Sequence, residues 1–311
     1  ELEPPRHSRL RGLVLRAFTS RRIASLEPEI KQLCHILIDD FKSSEIDLLE
    51  AYAKPLPVTI IARLLGVPES MADDLLGWSN DMVMMYQARR SKTLEARAVA
   101  ASQAFSDFMR CFIEERRTRP ADDLITHLIA AEEEGQRLTT DEMITTCILL
   151  LNAGHEATVH TLGNGVKTLL ETAVPESCLA PKYIDGTVEE ILRFDPPLHM
   201  FTRYANADLT VQGHALKRGD QIALILGAAG RDPANWSDPD VFNPTRKVQT
   251  NAAFGAGIHF CLGAALARLE LRTALPIVFE RCPQMQLARP PCYADVYHFH
   301  GLQKLFVKTG L

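Results

Sequence analysis

Phe254-Gly255-Ala256-Gly257-Ile258-His259-Phe260-Cys261-Leu262-Gly263 carries more chemistry than any other stretch of the chain. Gly255 and Gly257 permit backbone conformations closed to other residues. Beyond them, Leu262, Ala265, Leu266 and Leu269 recur at helical spacing, which predicts a helix running from Leu262 to about Leu275. Cys261 therefore falls at a predicted helix N-terminus, where free N–H groups and the helix dipole favour a thiolate. A thiolate held rigidly there, with glycines that let a flat group approach, suits an axial ligand of haem iron. A lone free cysteine is more often a buried structural residue, so the remaining segments must decide between the two.

Composition narrows the choice. A chain of 311 residues buries a large core and can remain one domain over 1–311. Its net charge of −5 gives no basis for nucleic-acid binding. No apolar run reaches the length of a membrane span, so no membrane partner is expected. The seven cysteines are odd in number, scattered and without paired metal spacing. That favours a reducing, cytoplasmic setting over a disulfide scaffold.

Helical periodicity dominates. It predicts helices over Ser25–Lys42, Pro57–Leu65, Glu69–Tyr86, Ser91–Thr118 and Asp122–Glu134, punctuated by Gly66-Val67-Pro68 and Arg119-Pro120. Thr139-Thr140-Asp141-Glu142 reads as a capping box. The proline-free run behind it, Met143 to Thr172, is long for a globular helix, whose mean is about 11–12 residues. Strand signals come later, at Leu209–Gln212, Gln221–Leu226 and Gly301–Val307. The fold class is mainly α with a small β portion.

The Phe254–Gly263 segment resembles the haem-binding loop of the cytochrome P450 family, Phe-Gly-x-Gly-x-His-x-Cys-x-Gly, at every fixed position. Other segments resemble that family in the expected order along essentially the whole chain. Glu190-Ile191-Leu192-Arg193 is similar to its Glu-x-x-Arg motif, and i to i+3 spacing puts both side chains on one helix face. Asp195-Pro196-Pro197 then stops that helix. Phe242-Asn243-Pro244-Thr245-Arg246 resembles the family's meander, which implies a bracing network of Glu190, Arg193 and Arg246.

Ala153-Gly154-His155-Glu156-Ala157-Thr158 resembles the oxygen-binding motif Ala-Gly-x-(Asp/Glu)-Thr-Thr. A mid-helix glycine costs about 1 kcal/mol relative to alanine, so Gly154 is read as a close approach of a ligand or a local bulge. The acid is Glu156, but the family's usual alcohol after it is Ala157. Thr158 follows, turned by about 100 degrees, and cannot simply take that place. Glu156 and Thr158 are the candidate catalytic residues. The plain alternative for Glu156 is a solvated helix charge, which its apolar neighbours argue against.

The resemblance implies haem b, ligated by Cys261 and lined by Ala153, Gly154, Phe254, Gly255 and Gly263. Its propionates would fall to His7 and Arg11 at i and i+4, to Arg203, and to His259. Taken singly, each of these cations could be an ordinary surface charge. The family's segments before Pro4 have no counterpart here, so the fold is expected to be N-terminally incomplete. The implied activity is haem-thiolate monooxygenation of a small, mainly apolar molecule, met by Leu198–Phe201, the region of Ala153, and Phe299. Electrons would come from a separate ferredoxin and its reductase, docking near Arg9, Arg16, Arg268 and Arg272. Two alternatives stay open: a peroxide-dependent or non-oxygenating haem-thiolate enzyme, and a non-catalytic haem-binding protein.

Overall fold

The computed structural model describes residues 2–87, 90–131, 135–172, 174–247, 249–296 and 299–311. Helices dominate the first two thirds. α1 (Arg6–Ala17), α2 (Ser20–Ser25) and α3 (Glu27–Asp39) lead to a short strand, β1 (Glu45–Asp47). α4 (Pro55–Leu65), α5 (Ala72–Val83), α6 (Lys92–Thr118) and α7 (Leu124–Ala130) follow, then the long α8 (Thr140–Thr172) and α9 (Ile184–Phe194).

The remainder is mixed. β2 (Met200–Tyr204), β3 (Leu209–Val211), β4 (His214–Leu216) and β5 (Gln221–Ile225) precede the single turn α10 (Leu226–Ala229). After a long irregular segment come α11 (Ala264–Arg281), β6 (Gln286–Leu287), β7 (Cys292–Tyr293), β8 (Leu302–Lys304) and β9 (Phe306–Lys308). β9 runs between β1 and β6, with Val307 opposite both Ile46 and Leu287. β2 pairs antiparallel with β5, with Arg203 opposite Ile222.

Local chemistry sets the helix boundaries. α4 stops at Gly66, whose φ of 77° lies in the left-handed region. A Cβ there would lie 2.2 Å from the Asp123 carboxylate, so glycine alone fits. That carboxylate caps α7 by accepting from the Thr126 N–H at 2.7 Å, and it accepts from Arg116 Nε at 2.6 Å. At the start of α8 the capping box is reciprocal. Thr139 N–H donates to Glu142 Oε2 at 3.0 Å, and Glu142 N–H donates to Thr139 Oγ1 at 3.2 Å. Thirty-three residues make α8 about 50 Å long. It packs against α4, α5, α6, α9 and α11 and forms the axis of the apolar core.

Several expected boundaries shift. The run Ser25–Lys42 is α3 alone, which starts at Glu27 with Pro28 in its first turn and ends at Asp39, while Ser25 closes α2. Glu69–Tyr86 is a 3₁₀ turn, α5 and a second 3₁₀ turn. The helix expected over Asp122–Glu134 ends at Ala130, and Glu134 lies outside the described residues. The last expected strand splits at Leu305, whose N–H donates to Asp47 Oδ1 at 3.0 Å and whose carbonyl accepts from Leu48 N–H at 2.8 Å.

Candidate functional site

The cysteine loop is a tight turn set on the start of α11. Cys261 N–H donates to the Phe254 carbonyl at 3.0 Å, closing the segment on itself. Gly255 and Gly257 have φ of 68° and 70°, a region that L side chains rarely adopt. Nothing lies within 4 Å of where a Cβ would stand at either. The glycines therefore leave a flat, unobstructed approach. Apolar side chains face solvent nearby, Ile258 at 54% and Phe260 at 38% exposure.

Burial pushes the Cys261 thiol up, while the Gly263 and Ala264 N–H groups and the charges of Arg11 and Arg268 pull it down. The net shift is upward, contrary to the thiolate-favouring helix start expected from sequence. Desolvation is the largest contribution and outweighs the N–H groups that the helix start aims at the sulfur. A bound metal cation reverses that balance, since a coordinating thiol is deprotonated outright.

Behind the loop the expected network is present and buried. Arg193 donates from Nε to Glu190 Oε2 and from Nη2 to Oε1, both at 2.7 Å. The two side chains are 1% and 3% exposed, so every remaining donor needs a partner. Arg193 Nη1 donates to the carbonyls of Gly230 and Pro239 at 2.7 and 2.8 Å. Glu190 Oε1 also accepts from Asn243 N–H at 2.8 Å and from Arg246 Nε at 3.4 Å. The neighbouring Glu189 holds Arg268, whose guanidinium lies 4.5 Å from the Phe254 ring centre. This couples the network to the first residue of the cysteine loop.

On α8, Leu149, Ala153, Glu156 and His160 fall on one side at 3.6 residues per turn, and Leu149 is 58% exposed. Glu156 Oε2 lies 3.4 Å from His160 Nε2, and Glu156 Oε1 lies 3.8 Å from His155 Nδ1. Burial raises the Glu156 carboxyl, but the His160 hydrogen bond and the charges of His155, His160 and Lys54 more than offset it. Its pKa falls below the ordinary carboxylate value, so the group is ionised at neutral pH.

One sequence reading on this helix needs correction. Thr158 is buried on the opposite side, where its hydroxyl donates to the Gly154 carbonyl at 3.0 Å. At Gly154 the side where a Cβ would stand faces Ile61 of α4, whose Cδ1, the tip of a flexible side chain, would lie 2.9 Å away. Neither residue reaches the side shared by Ala153 and Glu156. His160 escaped the sequence reading, although its i+4 spacing from Glu156 was the available signal.

Comparison with known proteins agrees with this geometry. A family model described as Cytochrome P450 matches residues 1–172 and 181–287. The chain belongs to the cytochrome P450 family. Cytochrome P450 107B1 of Saccharopolyspora erythraea is 40% identical over 315 residues, covering 99% of this chain and 76% of that protein. Vitamin D(3) 25-hydroxylase of Pseudonocardia autotrophica is 40% identical over 318 residues, covering 99% and 77%. The crystal structure of CYP109E1 from Bacillus megaterium with testosterone superposes with a TM-score of 0.92 at 34% identity, covering 100% of this chain and 86% of that one. P450 enzymes are haem-thiolate monooxygenases, so this chain is an oxidoreductase whose family cofactor is a haem with cysteine-ligated iron.

The residues present fit a P450 haem. Beside the Gly255–Gly257 cradle, Arg11 of α1 donates to the Phe260 carbonyl at 2.6 Å, fixing α1 to the loop. The His7 and His259 rings lie 4.3 Å apart, and His7 Nδ1 is buried without a partner. His259 Nε2 sits 3.2 Å from the Glu3 carboxylate, so the spot already attracts an anion. Arg203 has no acidic partner among the described residues and donates only to the Thr202 carbonyl, at 3.0 Å. Of the arginines expected to dock a redox partner, Arg9 and Arg268 are engaged by Glu142 and Glu189. Among the described residues no helix is long and apolar enough to cross a membrane.

Proposed function

We propose that this P450 inserts one oxygen atom of dioxygen into a small, mainly apolar molecule, with Cys261 as the only protein ligand to the iron of haem b. When bound, the haem supplies the redox chemistry of dioxygen activation. The protein's part is to bind, orient and manage protons. Gly255 and Gly257 admit the flat face, and the Gly263 and Ala264 N–H groups direct partial positive charge at the sulfur. Arg11 and Arg203 are the cations for two carboxylates, with His7 and His259 as hydrogen-bond partners beside them, since burial and the neighbouring His259 and Arg11 hold His7 below its ordinary value. Leu149 and Ala153 offer an apolar wall. Glu156 Oε2 and His160 Nε2, 3.4 Å apart, can hold and pass a proton beside it.

The observation that carries this reading is the open Gly255–Gly257 cradle next to Cys261. We place the chain, as one catalytic domain over 1–311, in a reducing cytoplasm, consistent with seven free cysteines. Electrons then come from a ferredoxin and its reductase. The named relatives act on or bind vitamin D(3) and testosterone, so a steroid-sized apolar substrate is the first class to try. The test is turnover of such a panel with a surrogate ferredoxin, ferredoxin reductase and NADPH. A single-oxygen product whose formation requires all three supports the reading, and haem-loaded protein inert to the panel counts against it.

One observation favours a second reading. Ala157 lacks the family's usual hydroxyl, and Thr158 is turned into the core. A peroxide-driven enzyme does not need that hydroxyl. Turnover with peroxide that exceeds the rate with reductase would establish this reading instead.

A further inference from the structure

A second cluster of ligating side chains lies outside the haem site. α9 ends at Phe194 with Asp195 as its cap, and the chain turns through Pro196 and Pro197 into an isolated antiparallel bridge, Leu198 opposite Phe299. Side chains alternate across extended backbone. Phe299 therefore turns toward α8, where its ring centre lies 5.4 Å from that of His160. His199 and His300 turn to the other face, into a cleft of about 420 Å³ that Asp195 and Tyr293 also line.

There His300 Nε2 lies 3.1 Å from Asp195 Oδ1, and the Tyr293 hydroxyl donates to Asp195 Oδ2. The His199 and His300 rings stack with centres 3.9 Å apart, and Tyr293 stacks on the other side of His300 at 4.0 Å. Gly227 makes room for His199, because a Cβ there would stand 3.1 Å from its Cδ2.

We propose that Asp195, His199 and His300 form a binding site for a divalent transition metal, zinc above all. The donor set is two imidazole nitrogens and one carboxylate oxygen, which suits zinc with a fourth position open to the cleft. The three donor atoms lie within 4.8 Å of one another. Tetrahedral zinc at about 2.0–2.1 Å from nitrogen needs about 3.3 Å between donors. Closure therefore takes a movement of about 1.5 Å. Rotation of the partly exposed His199 ring out of its stack provides this, since parallel stacked rings cannot both hold one ion in plane.

Tyr293 supplies the outer hydrogen bond that orients a ligating carboxylate. Each cation lining the cleft has an acidic partner. Lys167 is held by Glu171 at 2.8 Å and Arg231 by Asp240 at 2.9 Å. The three ligands come from the end of α9, the strand entry after it and the C-terminal loop. A bound ion would thus pin the Leu198–Phe299 bridge from behind.

The test is calorimetric zinc titration of the chelator-treated, haem-loaded protein, compared with His199→Gln, His300→Gln and Tyr293→Phe. The expected result is one zinc per chain with a raised Tm. Affinity should fall at least 100-fold in either histidine variant and about 10-fold in Tyr293→Phe. The thiolate spectrum should be unchanged throughout. Wild-type protein that takes up no zinc overturns the proposal. So does equal uptake by wild type and both histidine variants, which would direct the ion to another site such as the exposed Cys111 or Cys292. Should one histidine variant fail to fold, the other and Tyr293→Phe still decide.

Discussion

Glu190 and Glu156 are both helical acids largely removed from water, and their surroundings differ sharply. Glu190 is gripped by Arg193 through two 2.7 Å bonds, by the Asn243 N–H and by Arg246. Arg193 in turn spends its other donors on the carbonyls of Gly230, Pro239 and Val241. Around Glu156 the partners are longer, 3.4 and 3.8 Å, and neighbouring polar atoms are unmatched. Both His155 nitrogens, Asn152 Oδ1 and His160 Nδ1 are buried without a hydrogen bond. A fully bonded ionic cluster has one arrangement and resists change. A sparsely bonded one leaves protons and side chains free to move. The first is a frame, and the second fits the proton-handling role proposed for it.

The largest expected effect breaks the frame. Glu190→Ala leaves Arg193 charged, buried and unpaired, at a cost of about 3–5 kcal/mol. Denaturant unfolding should show that loss together with poor haem loading. Wild-type stability would mean that the carbonyl partners alone hold Arg193.

Glu156→Ala should do the reverse. Turnover should fall by about 10²-fold or more, with unfolding midpoint and haem content close to wild type. A variant that loses haem but not rate per haem would move Glu156 into the frame.

Acid stability sharpens the comparison at the start of α8. Burial raises the Glu142 carboxyl, and the Thr139 and Arg9 hydrogen bonds together with the Arg9 charge bring it below its ordinary 4.5. A depressed folded-state pKa contributes stability above the unfolded value and loses it as pH falls through the folded value. Stability conferred by this group should therefore decline below about pH 4.5, and Glu142→Gln should flatten that decline. An unchanged acid limb in the variant would contradict the assignment.

Thr158→Ala should matter least. It removes one hydroxyl bond to the Gly154 carbonyl, worth about 0.5–1.5 kcal/mol, and leaves the rate near wild type. A rate loss exceeding that of Glu156→Ala would reverse the roles assigned to the two faces of α8.

The sequence made visible those features that local pattern encodes. The cysteine loop needs two positive-φ glycines at fixed spacing, the capping box needs Thr139 and Glu142, and the Glu190–Arg193 pair needs one helical turn. Contacts between distant segments left no such trace. Ile61 beneath Gly154 lies far away in the chain, and so do Gly230 and Pro239 as acceptors for Arg193. The Asp195–His300 contact spans most of the C-terminal third of the chain. The Cys261 thiol shows the same limit, because the helix end was legible and the desolvation that outweighs it was not.

The central claim is that Cys261, in its glycine cradle, is the iron's only protein ligand. The most direct measurement is the spectrum of the reduced, carbon-monoxide-treated protein, wild type against Cys261→Ser. The account predicts a thiolate-type spectrum in the wild type and its complete loss in Cys261→Ser. A thiolate-type spectrum that persists in Cys261→Ser would contradict it.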